Sequence, residues 1–258
     1  VAAQVTPAAK AIATSLLGGE RKAILLGNAV AHHAHCSALL TLANWLAKQT
    51  TATVGFLGEA ANTVGAQVAG ALPLQGGLHT QAMLHSPQVK AMVLLNTEPA
   101  HDCAQAQEAL KSLSTKDMVI TLSPFKANME FSDVLLPVSP FSETAGTFIN
   151  TEGRAQSFHG VVRPLGETRP AWKVLRVLAN MLGVSGFDYD TVEQIRADVL
   201  LPEWSSRLSN ACDQAMTQLP VMAHAPETAR IYQLDGLVRR APSLQQTADA
   251  QAKEASHV

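Results

Sequence analysis

The sequence predicts an α/β protein: an open, mostly parallel, doubly wound sheet followed by a hairpin and a helical C-terminal segment. Two observations carry this. Short apolar, β-branched-rich runs at Ala23 to Gly27, Thr53 to Leu57, Lys90 to Leu95 and Met118 to Leu122 recur about 30 residues apart and read as buried parallel strands. Helix-like stretches at His35 to Lys48 and His101 to Leu113 lie between them, with Leu39, Leu42 and Leu46 on one face of the first. That is the βαβα order of crossover connections. Residues 1–140 are therefore expected to form a Rossmann-like domain.

Each element has a local cause. Thr6-Pro7, then Ala8, Ile12, Leu16 and Leu17, closed by Gly18-Gly19, predicts a first helix: Thr caps, Pro fits the first turn, and Gly supplies a left-handed stop. The stretch Gly58 to Gly77 is expected to be a long loop. Asp133 to Val138, bounded by Pro137 and Pro140, predicts an edge strand or a chain leaving the sheet. Thr147 to Asn150 and Ala155 to Phe158 flank Thr151-Glu152-Gly153-Arg154, which predicts a hairpin. Pro170 opens a helix with Trp172, Leu175, Leu178, Met181 and Leu182 on one face and Gly183 past its end. These elements make residues 141–185 a hairpin plus a helix returning to a preceding domain.

Residues 186–220 are expected to be helical. Asp190 and Glu193 suggest a capping box ahead of Val192, Ile195 and Val199, and Trp204, Leu208, Cys212 and Ala215 recur at helical spacing. Residues 221–258 read as an extended arm with one patterned piece, Ile231 to Leu244, and a disordered end.

Composition narrows the function. Of 258 residues, 19 are Lys or Arg and 21 are Asp or Glu, giving 16% charged against about 25% in an ordinary soluble domain. A hydrophobic share of 47% supports one large core or two smaller ones and excludes wholesale disorder. The net charge of -2, with no basic cluster larger than Arg239-Arg240, argues against nucleic acid as a partner. No apolar run is long enough to span a bilayer. Val1 in place of Met, without a signal-like start, suggests the C-terminal part of a longer chain. Cys36, Cys103 and Cys212 fit neither a disulfide framework nor a metal or iron-sulfur motif, and a reducing compartment is expected.

In open parallel sheets ligands sit beyond the carboxyl ends of the strands. Here those ends read Gly27-Asn28, Gly58-Glu59, Asn96-Thr97-Glu98 and Ser123-Pro124. The glycines of 58–77, with Asn62 and Thr63, could cradle phosphates or could simply turn the chain, and neither nucleotide-binding glycine fingerprint occurs. His32, His33, His35 and Cys36 are the most metal-like cluster, with i, i+3 pairs. No acidic residue lies nearby in sequence to orient the imidazoles, and solvent-facing or capping roles are favoured. No nucleophile elbow occurs, Glu143 and Glu152 do not define an acid/base pair, and no self-contained catalytic site is expected.

One run is long and specific. Ser132-Asp133-Val134-Leu135-Leu136-Pro137, followed by Phe141-Ser142-Glu143-Thr144-Ala145-Gly146-Thr147-Phe148-Ile149-Asn150-Thr151-Glu152-Gly153-Arg154-Ala155-Gln156, resembles a signature of the molybdopterin oxidoreductase superfamily. The stretch Arg163 to Gly183 and the late run Ile231-Tyr232-Gln233-Leu234-Asp235-Gly236-Leu237-Val238-Arg239-Arg240-Ala241-Pro242-Ser243-Leu244-Gln245 are similar to the C-terminal part of the large peripheral-arm subunit of bacterial NADH:quinone oxidoreductase, respiratory complex I. The resemblance covers most of residues 20 to 250.

What it implies is a non-catalytic scaffold segment, descended from a molybdopterin enzyme, that supports electron transfer from NADH through iron-sulfur clusters to quinone. The family's 4Fe-4S and 2Fe-2S clusters belong to a region upstream, so no cofactor is expected in this segment. Its partners would be other peripheral-arm subunits and the N-terminal part of its own chain, on the cytoplasmic face of the bacterial inner membrane, without a membrane span. Transfer from molybdenum-using relatives makes Gly58, Asn62, Gly65, Asn96 and Glu98 candidates for a remnant pterin-nucleotide pocket, expected to be empty.

Each candidate also has a structural reading: Asn62 and Asn96 as turn residues, Glu98 as a cap acceptor before Pro99, the glycines as turns. In the signature, Gly146 and Gly153 would permit tight backbone, with Glu143, Asn150 and Arg154 tying it. Arg154 would hold a carboxylate or carbonyl in preference to a phosphate. Arg239 and Arg240 would either meet an acidic surface of another subunit or be solvated. Two alternatives compete: a fragment of an active molybdopterin-dependent oxidoreductase such as a formate dehydrogenase, and a nucleotide-binding α/β module.

Overall fold

The structure is a computed structural model that describes residues 5–212 and 231–251. These group into two compact units, one of residues 5–64, 149–154 and 202–212, the other of 65–148, 155–201 and 231–251. Among the described residues the expected parallel pairing is present, as a two-stranded sheet in the first unit and a three-stranded sheet in the second.

The first unit opens with α1 (Pro7–Gly18), where Thr6 Oγ1 accepts the Ala9 N–H at 3.1 Å. Its end departs from expectation: Gly19 is extended, with φ -75°, and donates to Ser15 O. β1 (Ala23–Leu26) and β2 (Thr53–Phe56) pair in parallel from Ala23↔Thr53 to Leu26↔Phe56. Between them run α2 (Asn28–Ala31) and α3 (Cys36–Thr50). α3 buries Ala38 and Ala43 and stops at Thr51, which takes the left-handed conformation at φ 58°. The stretch 58–77 is not a plain loop, because α4 (Thr63–Val68) forms within it.

In the second unit α5 (Thr80–His85) precedes β3 (Ala91–Leu95), then α6 (Pro99–Asp102), α7 (Ala106–Leu113), β4 (Met118–Ser123) and β5 (Val134–Pro137). The expected helix over 101–113 is thus two helices. All three strands are parallel in the order β3-β4-β5. β4 is central and most buried, with Val119, Thr121 and Leu122 almost wholly enclosed. β3 is buried on one face only: Met92 and Leu94 point inward, while Val93 and Leu95 are exposed. Met92, Leu94, Leu113 and Val119 form the core, with Met83, Leu84, Val89 and Phe131 packed on it, and each such side chain contributes roughly 1.5–3 kcal/mol by leaving water.

β6 (Gly146–Ile149) and β7 (Ala155–Phe158) pair as the expected hairpin. Phe148 and Phe158 meet edge to face at 4.9 Å. α8 (Ala171–Met181) follows Pro170 and stops before Gly183, which takes φ 71°. For α9 (Val192–Val199) the capping box is Thr191 with Gln194, not Asp190 with Glu193. The Thr191 hydroxyl accepts the Gln194 N–H, a reach from the N-cap to the third helical residue that Asp190 would overshoot by one position. The helix expected through Trp204 and Cys212 is only a 3-10 turn, Trp204–Arg207, with Cys212 outside it. Ala215 lies outside the described residues, as do 213–230 of the arm and 252–258. The remainder of the arm holds a 3-10 turn, Ile231–Gln233, then α10 (Gly236–Arg239), α11 (Pro242–Gln245) and α12 (Ala248–Gln251). The arm is thus not extended where it is described.

Candidate functional site

Parallel pairing sets the residues that follow β1 and β2 side by side. Glu59, just beyond β2, receives Asn28 Nδ2 at 3.2 Å and pairs with His32 Nε2 at 2.8 Å. Sequence proximity had given His32 no carboxylate; strand pairing supplies one. His33 Nδ1 accepts the His35 N–H at 2.9 Å. Among the described residues no group of three or more His, Cys, Asp or Glu gathers around a point that could hold a metal ion.

Asn62 Oδ1 accepts the backbone N–H of Ile149 at 2.9 Å, so its carbonyl is committed to a contact 87 positions away in sequence. Gly58 stands beside Thr63, whose hydroxyl donates to Ala60 O at 3.3 Å. Gly65 lies inside α4, and its carbonyl accepts the Ala69 N–H. The segment is a tight turn running into a helix.

The second unit gathers more chemistry at its strand ends. Asn96 ends β3 in the left-handed region, φ 51°, and its N–H reaches Leu122 O at 2.9 Å. Asn is tolerated there because a short polar side chain can bond locally. Asn128, also left-handed at φ 59°, donates from Nδ2 to Thr97 O at 2.8 Å and lies 3.4 Å from Thr121 Oγ1. Glu98 is the N-cap residue of α6, but its side chain makes no cap hydrogen bond. Instead Asp102 Oδ2 accepts the Glu98 N–H at 2.7 Å.

The Glu98 carboxylate turns to the C-terminal arm. Arg240 donates Nη1 to Oε1 at 2.7 Å and Nη2 to Oε2 at 2.8 Å, a bidentate fork. Arg239 Nη2 donates to Asp102 Oδ1 at 2.6 Å, and its Nη1 lies 3.9 Å from Glu98 Oε1. The Arg240 guanidinium also rests 4.1 Å from the centre of the Phe125 ring, a cation–π contact. Both arginines thus pair with carboxylates of the chain's own α6 and its N-cap, Arg239 almost enclosed and Arg240 partly exposed. The Arg240 hydrogen bonds hold the Glu98 carboxyl below the usual carboxylate range, helped by the charges of Arg240, Arg239 and His101 and opposed by burial. Arg240 is raised in turn, chiefly by its hydrogen bonds to Glu98.

The signature residues behave mostly as expected. Glu143 Oε2 accepts the Leu165 N–H at 3.0 Å, and Asn150 Oδ1 accepts the N–H groups of Glu152 at 3.1 Å and Arg154 at 2.9 Å. Gly146 faces Phe158 so closely that an added Cβ would lie 2.7 Å from the ring. Arg154 differs: it engages through its backbone N–H, and its guanidinium pairs with nothing among the described residues. Beside β7, a cavity of about 240 Å³ is bordered by Phe158, His159, Glu193 and Arg196, but Arg196 already donates to Ser157 Oγ at 2.7 Å.

Of the five candidate residues, Gly58 and Asn62 belong to the first unit and Gly65, Asn96 and Glu98 to the second. Within the second unit, Asn96 and Glu98 come together at the end of β3. Sequence reasoning placed Glu59 at a strand end without giving it a partner, and it missed Asp102, Phe125 and Asn128. The strand ends Ser123-Pro124 and Asn96-Thr97-Glu98 were the available signal for Phe125, the next residue along, and for Asp102, one helical turn on.

Comparison with known proteins adds a lineage. Residues 3–181 match the family described as molybdopterin oxidoreductase. YjgC of Bacillus subtilis (strain 168), by name an oxidoreductase, is 35% identical over 123 residues, 46% of this chain. YrhE of the same strain, by name a formate dehydrogenase, is 33% identical over 113 residues, 42% of this chain. SAB2186c of Staphylococcus aureus (strain bovine RF122 / ET3-1), also by name a formate dehydrogenase, is 48% identical over 60 residues, 23% of this chain. The matched stretch spans only 12%, 12% and 6% of these three relatives' own lengths.

Proposed function

Because this chain belongs to the molybdopterin oxidoreductase family, we propose that it is an architectural segment of an oxidoreductase subunit, one whose strand-end residues hold the fold rather than a cofactor. The observation that carries this is the bond from Ile149 N–H to Asn62 Oδ1. It gives the Asn62 side chain a structural task, satisfying the buried backbone N–H of Ile149.

Two other candidates also have local structural roles. The Glu98 carboxylate is engaged at both oxygens by Arg240, an ion pair that gives it a structural role. Gly65 is a residue of α4 and is not among the glycines with positive φ, so it lacks the alternating backbone of a phosphate-cradling loop. These local roles support reading the candidate residues as structural.

Within this reading the chain is the C-terminal part of the large subunit of NADH:quinone oxidoreductase, working peripherally at the cytoplasmic face of the membrane beside other peripheral-arm subunits. The support is the resemblance of the stretch Arg163 to Gly183 and of the run Ile231 to Gln245. Among the described residues no helix is long and apolar enough to cross a membrane. Iron-sulfur clusters would be carried elsewhere in the full-length protein.

A second reading is favoured by the names of the matched relatives, which point to formate dehydrogenase more than to complex I. In it the segment belongs to an enzyme that holds a molybdenum or tungsten pterin. Elemental analysis of the purified full-length protein, with assay of released pterin, separates the two. The architectural reading expects neither metal nor pterin above trace; one molybdenum or tungsten per chain would overturn it.

A further inference from the structure

We propose that the arm from Gly236 to Gln245 is a latch, whose Arg239-Arg240 pair docks into an acidic and aromatic corner formed by Glu98, Asp102 and Phe125 and so closes the end of β3. The corner is a binding site for a guanidinium pair, and its occupant is the same chain.

Four features make the contact specific. The Arg240 fork meets both Glu98 oxygens and also donates to Gly236 O at 3.0 Å, a planar match that an ammonium cannot make. Phe125 lies under the same guanidinium at 4.1 Å, so the charge is held from an edge and a face. Arg239 is enclosed, with its side chain 8% exposed, and reaches Asp102. Gly236 lets the arm come close: a Cβ there would lie 3.3 Å from Glu98 Oε1 and 3.4 Å from the Phe125 ring.

The arm is also braced to present the pair. Asp235 Oδ1 accepts the N–H groups of Leu237 at 2.8 Å and Val238 at 3.1 Å, fixing the start of α10. Gln245 Nε2 donates to Tyr232 O at 3.0 Å and Val238 O at 2.8 Å, closing the arm on itself. The paired residues are 137 and 142 positions apart, so the contact is tertiary and not local.

This rests on the architectural reading of the same strand end, yet its test is separate. Hydrogen exchange in the full-length protein would follow peptides covering 97–103 and 231–245. Glu98→Gln and Arg240→Lys attack the contact from its two sides, and Gly236→Val crowds it without changing a charge. Each variant is expected to speed exchange in both peptides together by roughly tenfold, the size of one lost charge-assisted pair. A change confined to the mutated peptide, or a 231–245 peptide that exchanges like free chain in the unaltered protein, would overturn the latch. Metal and pterin content bears only on the architectural reading, so the two failures are distinguishable.

Discussion

Asn62 and Ile149 are joined by a single hydrogen bond, the Ile149 N–H donating to Asn62 Oδ1 at 2.9 Å. Ile149 is 2% exposed, so its N–H has no route to water and depends on this acceptor. A buried donor left unmade costs about 1–3 kcal/mol. Asn62→Ala should lower unfolding stability by about that much. Asn62→Asp, which keeps the acceptor, should recover most of the loss. Urea denaturation of the three proteins measures it, and a neutral Asn62→Ala would refute the assignment.

Gly153 combines two demands, φ 77° and a Leu208 Cδ1 that would lie 2.6 Å from an added Cβ. Gly183, at φ 71°, has nothing within 4 Å. Left-handed backbone costs roughly 1–2 kcal/mol for a residue with a Cβ. Gly183→Ala should lose about that, and Gly153→Ala should lose slightly more, because only the tip of the flexible, 37%-exposed Leu208 side chain must shift. Adding Leu208→Ala to Gly153→Ala should bring its deficit back toward that of Gly183→Ala. Thermal or chemical melts of the four proteins decide the point, and equal losses at the two glycines would remove the role of Leu208.

Glu98 gives the arm a pH dependence whose sign follows from its lowered pKa. A carboxyl lowered in the docked state contributes stability that is fully present above its free value, near 4.3. The contribution is lost as pH falls through the lowered value. Arm protection should therefore be flat from neutral pH down to the ordinary carboxylate range and fall below it. In Glu98→Gln that acid-dependent step should be missing. Exchange rates corrected for intrinsic chemistry across this range provide the measurement.

Burial raises the Cys36 thiol, with Cys212 adding to the effect, and burial followed by the Asp102 charge raises Cys103. The thiolate is the reactive form. At pH 7 both cysteines should label with a maleimide more slowly than in the urea-unfolded chain, by a factor that shrinks as pH rises. Mass spectrometry of timed samples reads each site. Native labelling at the unfolded rate would contradict the shift.

Much of the site was legible one residue at a time and illegible as a constellation. Asn96 was readable as a turn residue because Asn tolerates the left-handed backbone found there. Glu98 was readable as polar and next to Pro99, but its choice between capping α6 and gripping Arg240 depends on where residues 142 positions later arrive. The capping box at Thr191 was misread by one position, since Asp190, Thr191, Glu193 and Gln194 are all plausible cap partners by residue type. Cys212 looked helical by spacing but lies beyond the 3-10 turn at Trp204–Arg207, where its Sγ stands 3.5 Å from Ser37 O.

The sequence by itself determined the alternation of strand and helix, the hairpin and the family signature, because apolar periodicity, turn residues and caps act within a few residues of one another. Only the tertiary structure decided the strand order β3-β4-β5, that Glu59 faces His32, and that the arm's arginines close on Glu98 and Asp102. Those outcomes turn on pairing and charge contacts between distant segments, which no local pattern encodes.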